Sequence, residues 1–243
     1  MVKSKQPVND IDEVQSFYNS VYYKDAKANK KQSSHLSRLA SKMKIKADID
    51  VVDVACGKGE WLLAVSERGG NIAGIDLSFK AINVCKTVLP DGEFYIGTAE
   101  TLPFEDKRFH IVSCLGAIEH FLDPQTALKE MVRIARDDAT FLLLVPNKGF
   151  LTRRLGLFGG TAQADIREEV RTLEEWNELF EEAGLQIEKR WKDLHVLSWA
   201  WIISKKWYQI PLRVVQAFAL LLWPLSWQYQ VYYLCVKQNS IDR

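Results

Sequence analysis

Short runs of aliphatic and β-branched residues alternate along this chain with segments whose apolar positions recur at helical spacing. Such alternation builds a parallel sheet with helices on both faces. Val51, Val52 and Val54 form the first buried run. Asn71 to Asp76 (NIAGID), Glu93 to Gly97 (EFYIG), Phe109 to Leu115 and Thr140 to Val145 (TFLLLV) read as strands two to five. Trp61, Leu62 and Val65 mark the helix after the first strand, and FKAINVCKTVL, capped by Ser78, marks the helix after the second. Ile11, Val14, Phe17, Tyr18, Val21 and Tyr22 lie on a helical stripe between Asp10 and Tyr23. Thr172 with Glu175 forms a capping box for EEWNELFEEA, which stops at Gly184.

The chemistry starts where the first strand runs into VVDVACGKG, residues 51–59. Gly57 and Gly59 let the backbone turn tightly and approach a ligand, and the turn brings a helix N-terminus to the carboxyl end of the strand. This geometry suits a nucleotide. The dinucleotide fingerprint is not met, because Leu62 stands three residues after Gly59, and no P-loop is present. The Asp53 carboxylate, next to the small Ala55, suits the amino end of a methionine moiety. Asp76 ends the second strand 23 residues beyond Asp53, where an acid accepts hydrogen bonds from ribose hydroxyls in Rossmann-like folds. The competing role for Asp76, an acid at a helix N-terminus, is weakened because Ser78 already offers that cap.

VVDVACGKGEW followed by AGIDLS resembles the first two motifs of the S-adenosylmethionine-dependent methyltransferases with the seven-stranded Rossmann-like fold. The likeness runs from about residue 45 to 190 and is nearest to the small-molecule group that includes ubiquinone-biosynthesis and sterol enzymes. It implies an α/β fold: a seven-stranded, mostly parallel sheet with helices on both faces and an antiparallel last strand, YQVYYLCVK, with an apolar helical insertion between strands six and seven. It implies S-adenosylmethionine as cofactor, held by Asp53, Ala55, Gly57, Gly59, Asp76 and Leu77, the last as an apolar wall for the adenine. TAETLPFEDKRFHIV resembles the family stretch G-D-A-x-x-L-P-F. There Thr98 replaces an aspartate, the backbone of Ala99 meets the ring, and Leu115 joins the cofactor set. His110 stands where the family commonly has aspartate and reads as a strand-edge histidine. In the resembling family the first helix is a lid, which makes Tyr18 and Tyr22 substrate candidates; a helix simply packed on the sheet is the alternative.

Glu119 and His120, in GAIEHF, follow a central strand and are the catalytic candidates. Histidine titrates near neutrality and can take a proton from a hydroxyl or amine as the methyl moves. Some resembling quinone enzymes use this region for a divalent metal; no metal is assigned here. The structural alternative is a helix start, with the glutamate favoured by the macrodipole and the histidine packed.

Composition narrows the rest. With 243 residues, 47% hydrophobic and 26% charged, the chain is one globular domain with additions. Residues 1–46 are expected to form a helical lid, 47–193 the core with a substrate loop at 147–171, 194–226 an apolar aromatic insertion, and 227–243 the last strand and tail. A net charge of +1 gives no case for nucleic acid. Cys56, Cys85, Cys114 and Cys235 lie far apart and read as buried thiols in a reducing cytosol. MVKSKQPVND has no apolar run, so no signal peptide is expected and the protein is placed in the cytoplasm. Lys24 to Lys46 carries eight Lys or Arg against one acid, Asp25, and reads as a basic solvated helix, with attraction of an anionic substrate or membrane as the alternative. Arg153 and Arg154, with Gly159 and Gly160, suggest a basic flap that holds a substrate phosphate or carboxylate.

From Leu194 to Ile241 there is no Asp or Glu, while Lys205, Lys206, Arg213 and Lys237 are cationic and five of the eight tryptophans (Trp199, Trp201, Trp207, Trp223, Trp227) cluster. The twelve residues LRVVQAFALLLW make about 18 Å of helix, too short for a roughly 30 Å hydrocarbon core. Three roles compete for this insertion: an interfacial element on an anionic membrane or lipid, a cover for an apolar substrate tunnel, and a homodimer surface. The expected activity is methyl transfer to an oxygen or nitrogen of a small apolar or lipid-linked acceptor. The alternatives are a quinone or lipid C-methyltransferase and a non-catalytic partner protein that keeps the fold.

Overall fold

β1 (Asp50–Val54) lies inside the sheet because its valines have no polar face to offer water; Val51, Val52 and Val54 are fully buried. It pairs in parallel with β2 (Asn71–Asp76) on one side and β4 (Phe109–Leu115) on the other. With β3 (Glu93–Ile96), β5 (Ala135–Pro146), β6 (Leu185–Lys192) and β7 (Gln230–Lys237) they form one sheet in the order β3-β2-β1-β4-β5-β7-β6. β7 inserts between β5 and β6, antiparallel to both. The computed structural model describes residues 10–28, 33–156, 168–194, 208 and 210–238.

Strand periodicity sends alternate side chains to opposite faces. Val52, Val54, Val112, Cys114, Phe141 and Leu143 pack on one side against α5 (Pro124–Ile134) and α7 (Leu173–Glu182), through Leu128, Met131, Trp176 and Phe180. Val51, Ile111, Leu142 and Leu144 face the other way, toward α2 (Ser34–Lys42), α3 (Glu60–Ser66) and α4 (Phe79–Val88), through Leu39, Trp61, Leu62, Ile82 and Cys85. All four cysteines are buried and free.

Three elements differ from expectation. Among its described residues the basic segment is helical only over α2, and it is not a solvated helix, because Leu39 and Ala40 are buried in the core. The fifth strand starts at Ala135, not Thr140: it leaves α5 without a turn, pairs Ala135 with Phe109 and carries the charged Arg136, Asp137 and Asp138 past an irregularity in the ladder. The N-terminal helix is α-helical only over α1 (Ile11–Phe17) and widens into a π-turn over Tyr18–Tyr22. At α7 the Thr172–Glu175 capping box is present, and Gly184 follows with φ +86°. A short α6 (Leu151–Arg154) follows β5, and α8 (Ile210–Leu222) lies between β6 and β7. Among the described residues no helix is long and apolar enough to cross a membrane. Gly159, Gly160, Trp199, Trp201, Lys205, Lys206 and Trp207 lie outside the described residues.

Candidate active site

The turn after β1 carries three left-handed residues: Ala55 at φ +60°, Gly57 at +53° and Gly59 at +75°. A glycine accepts this freely, whereas Ala55 holds it at a cost of about 1–2 kcal/mol. At Gly57 a Cβ would also sit 2.9 Å from the Tyr23 hydroxyl, which would have to shift. Gly59 serves packing instead: its Cβ would meet Cys85 and Leu89 at 3.1 and 3.2 Å.

Asp76 ties this turn to the next one. Its Oδ2 accepts from the Gly57 amide and its Oδ1 from the Ser78 amide, each at 2.8 Å. Ser78 in turn caps α4 by accepting from Ala81. Both roles weighed for Asp76 are therefore compatible: each oxygen spends one lone pair on the backbone and keeps another. Burial pushes the Asp76 carboxyl up, and the two amides pull against that shift. Asp53 is buried at 3% exposure, and the Ser113 hydroxyl lies 2.6 Å from its Oδ1. The Trp61 indole donates to Ser113 Oγ at 3.0 Å, which completes a buried chain from α3 through β4 to β1. Burial pushes Asp53 up to about 7; the Ser113 hydrogen bond opposes this, and the charge of Asp76 adds to it.

The N-terminal segment is strapped across these turns. Gln15 Nε2 donates to the Leu77 carbonyl at 2.8 Å, and the Ser78 hydroxyl donates to Asn19 Oδ1 at 2.7 Å. The π-turn then lines up Tyr18, Tyr22 and Tyr23, with rings edge to face at 5.7 Å for the first and second and 4.8 Å for the second and third. Burial, reinforced by Asp76, pushes the Tyr18 and Tyr23 hydroxyls up, so both remain neutral phenols.

Together these groups enclose a cavity of about 460 Å³ at the carboxyl ends of the strands, the end at which open α/β sheets bind ligands. Asp53, Ala55, Gly57, Asp76, Leu77, Thr98, Ala99, Leu115, Tyr18, Tyr22 and His120 all line it. Gly59, Glu119, Arg153 and Arg154 do not. The two arginines are exposed on α6. Glu119 and His120 share a 3₁₀ turn, Ile118–His120, and only the histidine reaches the cavity. Glu119 is buried with Oε2 unpaired among the described residues, and burial, aided by Glu168, pushes it up to about 8. His110 accepts from the Asp50 amide at the opposite, amino end of β1, as befits a strand-edge histidine.

The sequence left three participants unnoticed. Tyr23 is one aromatic in a cluster and reads as packing. Ser113 is a small residue inside a strand. Lys58, between the glycines, also lines the cavity.

Residues 52–143 match a family described as a methyltransferase domain. The uncharacterized methyltransferase YcgJ of Bacillus subtilis is 30% identical over 131 residues, 52% of this chain and 51% of that protein. The ubiquinone/menaquinone biosynthesis C-methyltransferase UbiE of Campylobacter jejuni is 32% identical over 107 residues, 41% of this chain and 46% of that protein. The chain thus spans about half the length of these curated relatives. Among solved structures, the complex between the Haloferax volcanii Trm112 methyltransferase activator and a methyltransferase contains a chain that superimposes with a TM-score of 0.69 at 19% identity, covering 95% of this chain and 100% of that one. Residues 52–143 thus match a methyltransferase domain, and the seven-stranded sheet has the fold of the similar solved structures.

Proposed function

We propose that this chain transfers the methyl group of S-adenosylmethionine to an oxygen or nitrogen of a small acceptor with an apolar or lipid-linked part. The observation that carries the reading is the pairing of Asp53 and Asp76 in one cavity, on either side of a left-handed turn whose Gly57 lies under the Tyr23 hydroxyl. These residues fit the cofactor. Asp76 has lone pairs left for ribose hydroxyls, Asp53 offers a carboxylate to an ammonium, and Leu77, Thr98 and Ala99 supply an apolar and backbone wall for a base. The volume falls within the range of small-molecule sites, about 300–1,000 Å³.

When bound, the cofactor supplies an electrophilic methyl carbon on a sulfonium that leaves as a neutral thioether. The protein then has little to do beyond alignment, exclusion of water and removal of one proton. Tyr18, Tyr22 and Tyr23 cover the cavity and shed water from it. His120, at its edge, takes the proton from the acceptor's hydroxyl or amine. C-methylation is the second reading, favoured by the likeness to UbiE; there His120 removes the proton from carbon after the transfer.

Calorimetry with S-adenosylmethionine tests the proposal. Asp76→Ala should weaken binding by about 1.5–3 kcal/mol, the range for hydrogen bonds to a charged group, and unchanged affinity removes Asp76 from the site. His120→Ala should leave affinity nearly intact and lower turnover about a hundredfold or more on any acceptor found; equal turnover at every pH leaves positioning as the mechanism.

A further inference from the structure

α8 is apolar on the side that faces solvent. Val215, Phe218 and Leu222, at spacings that share one helix face, are 65, 63 and 83% exposed. Arg213 is the helix's single charge. The helix is held at the cavity end of the sheet. Lys192 Nζ donates to the Leu221 carbonyl at 2.7 Å and Gln228 Nε2 to the Leu220 carbonyl at 2.9 Å. Asn147, just past the end of β5, donates to the carbonyls of Ser226 and Gln228.

Three observations select what covers this face. Thirteen residues make about 20 Å of helix, too short to span a bilayer but long enough to lie on one. From Leu194 to Ile241 the sequence holds no acid, while Lys205 and Lys206 precede the helix closely in sequence and Arg213 lies on it. A second copy meeting this face about a two-fold axis would bring like charges together with no carboxylate from the same segment to pair them. Anionic headgroups complement these cations, and acyl chains take up the stripe.

We infer that α8 is a docking surface for an anionic lipid bilayer, seated so that the cavity end of the sheet faces the membrane. This goes beyond methyl transfer and stands without it, because vesicle binding is read in the absence of cofactor. The 243-residue chain should sediment with vesicles of phosphatidylcholine mixed with phosphatidylglycerol and should be released as salt rises, because the attraction is screened over about 8–10 Å near physiological ionic strength. It should sediment poorly with phosphatidylcholine alone. The triple variant Val215→Ser, Phe218→Ser, Leu222→Ser should lose at least about tenfold in sedimented fraction while keeping its thermal midpoint and its affinity for S-adenosylhomocysteine. A second probe does not depend on that variant folding. Leu222→Cys, labelled with a polarity-sensitive dye, should shift its emission to the blue on the mixed vesicles; the four native thiols are buried and spare the label. Failure of the unmodified protein to sediment, equal sedimentation of the triple variant, an unshifted dye, or a dimer that the triple variant splits would each overturn the inference.

Discussion

Asp53 keeps its proton up to about pH 7 because it is buried beside Asp76 with one hydroxyl to compensate it. An ammonium from a bound methionine moiety needs the ionised form. As pH falls below about 7 a proton competes for the same oxygen, and affinity for S-adenosylmethionine should decline toward about tenfold per pH unit. Asp53→Asn should bind weakly with no such slope, and titration calorimetry between about pH 5.5 and 8 distinguishes the two. A flat wild-type profile would remove Asp53 from contact with the ammonium. Much of the site was legible at this scale, because strand-end acids and left-handed turns leave marks in the sequence. Glu119 was not placed correctly by adjacency alone. Successive side chains on a 3₁₀ turn point about 120° apart, so sharing a dipeptide with His120 did not bring Glu119 to the same cavity.

Strands β2 and β4 follow the boundaries their β-branched runs suggest, since a buried parallel strand admits few polar residues. β5 hid its start because Arg136, Asp137 and Asp138 look like a loop, yet each is exposed at a sheet end where charge costs little. The π-turn was invisible, as one inserted residue does not alter an aromatic stripe. That turn matters because it brings Tyr23 over Gly57, and the strap made by Gln15 and Asn19 holds it there. Asn19→Ala removes the acceptor for the Ser78 hydroxyl while leaving α4 capped. The cofactor should then dissociate several-fold faster, and amides of residues 10–28 should exchange sooner, with the thermal midpoint nearly unchanged. Hydrogen exchange and stopped-flow release check this; an unaltered release rate would show that the strap does not close the site.

Across the whole molecule, burial of carboxyls links stability to pH. Asp53 and Glu119 hold protons to about 7 and about 8 in the fold but release them in the ordinary carboxylate range when unfolded. Between those limits the folded state binds more protons, so stability present at low pH is lost as pH rises through about 8, by up to about 1.4 kcal/mol per unit for each group. Thermal melts should show a midpoint that falls from about pH 5 to 8.5. Glu119→Gln mimics the neutral acid and should flatten the upper part of that fall; a midpoint rising with pH contradicts the assignment. The last two strands also fix where the chain leaves and re-enters the sheet. Lys192 pairs with Val231, and the Asp193 amide donates to the Gln230 carbonyl at 3.1 Å. The chain therefore leaves the sheet after residue 193 and re-enters one rung away, so everything between is topologically the loop of a hairpin. The return is not a slack loop: Asn147 donates to the Ser226 and Gln228 carbonyls and Gln228 is buried, so the chain is pinned to the end of β5 before β7 begins.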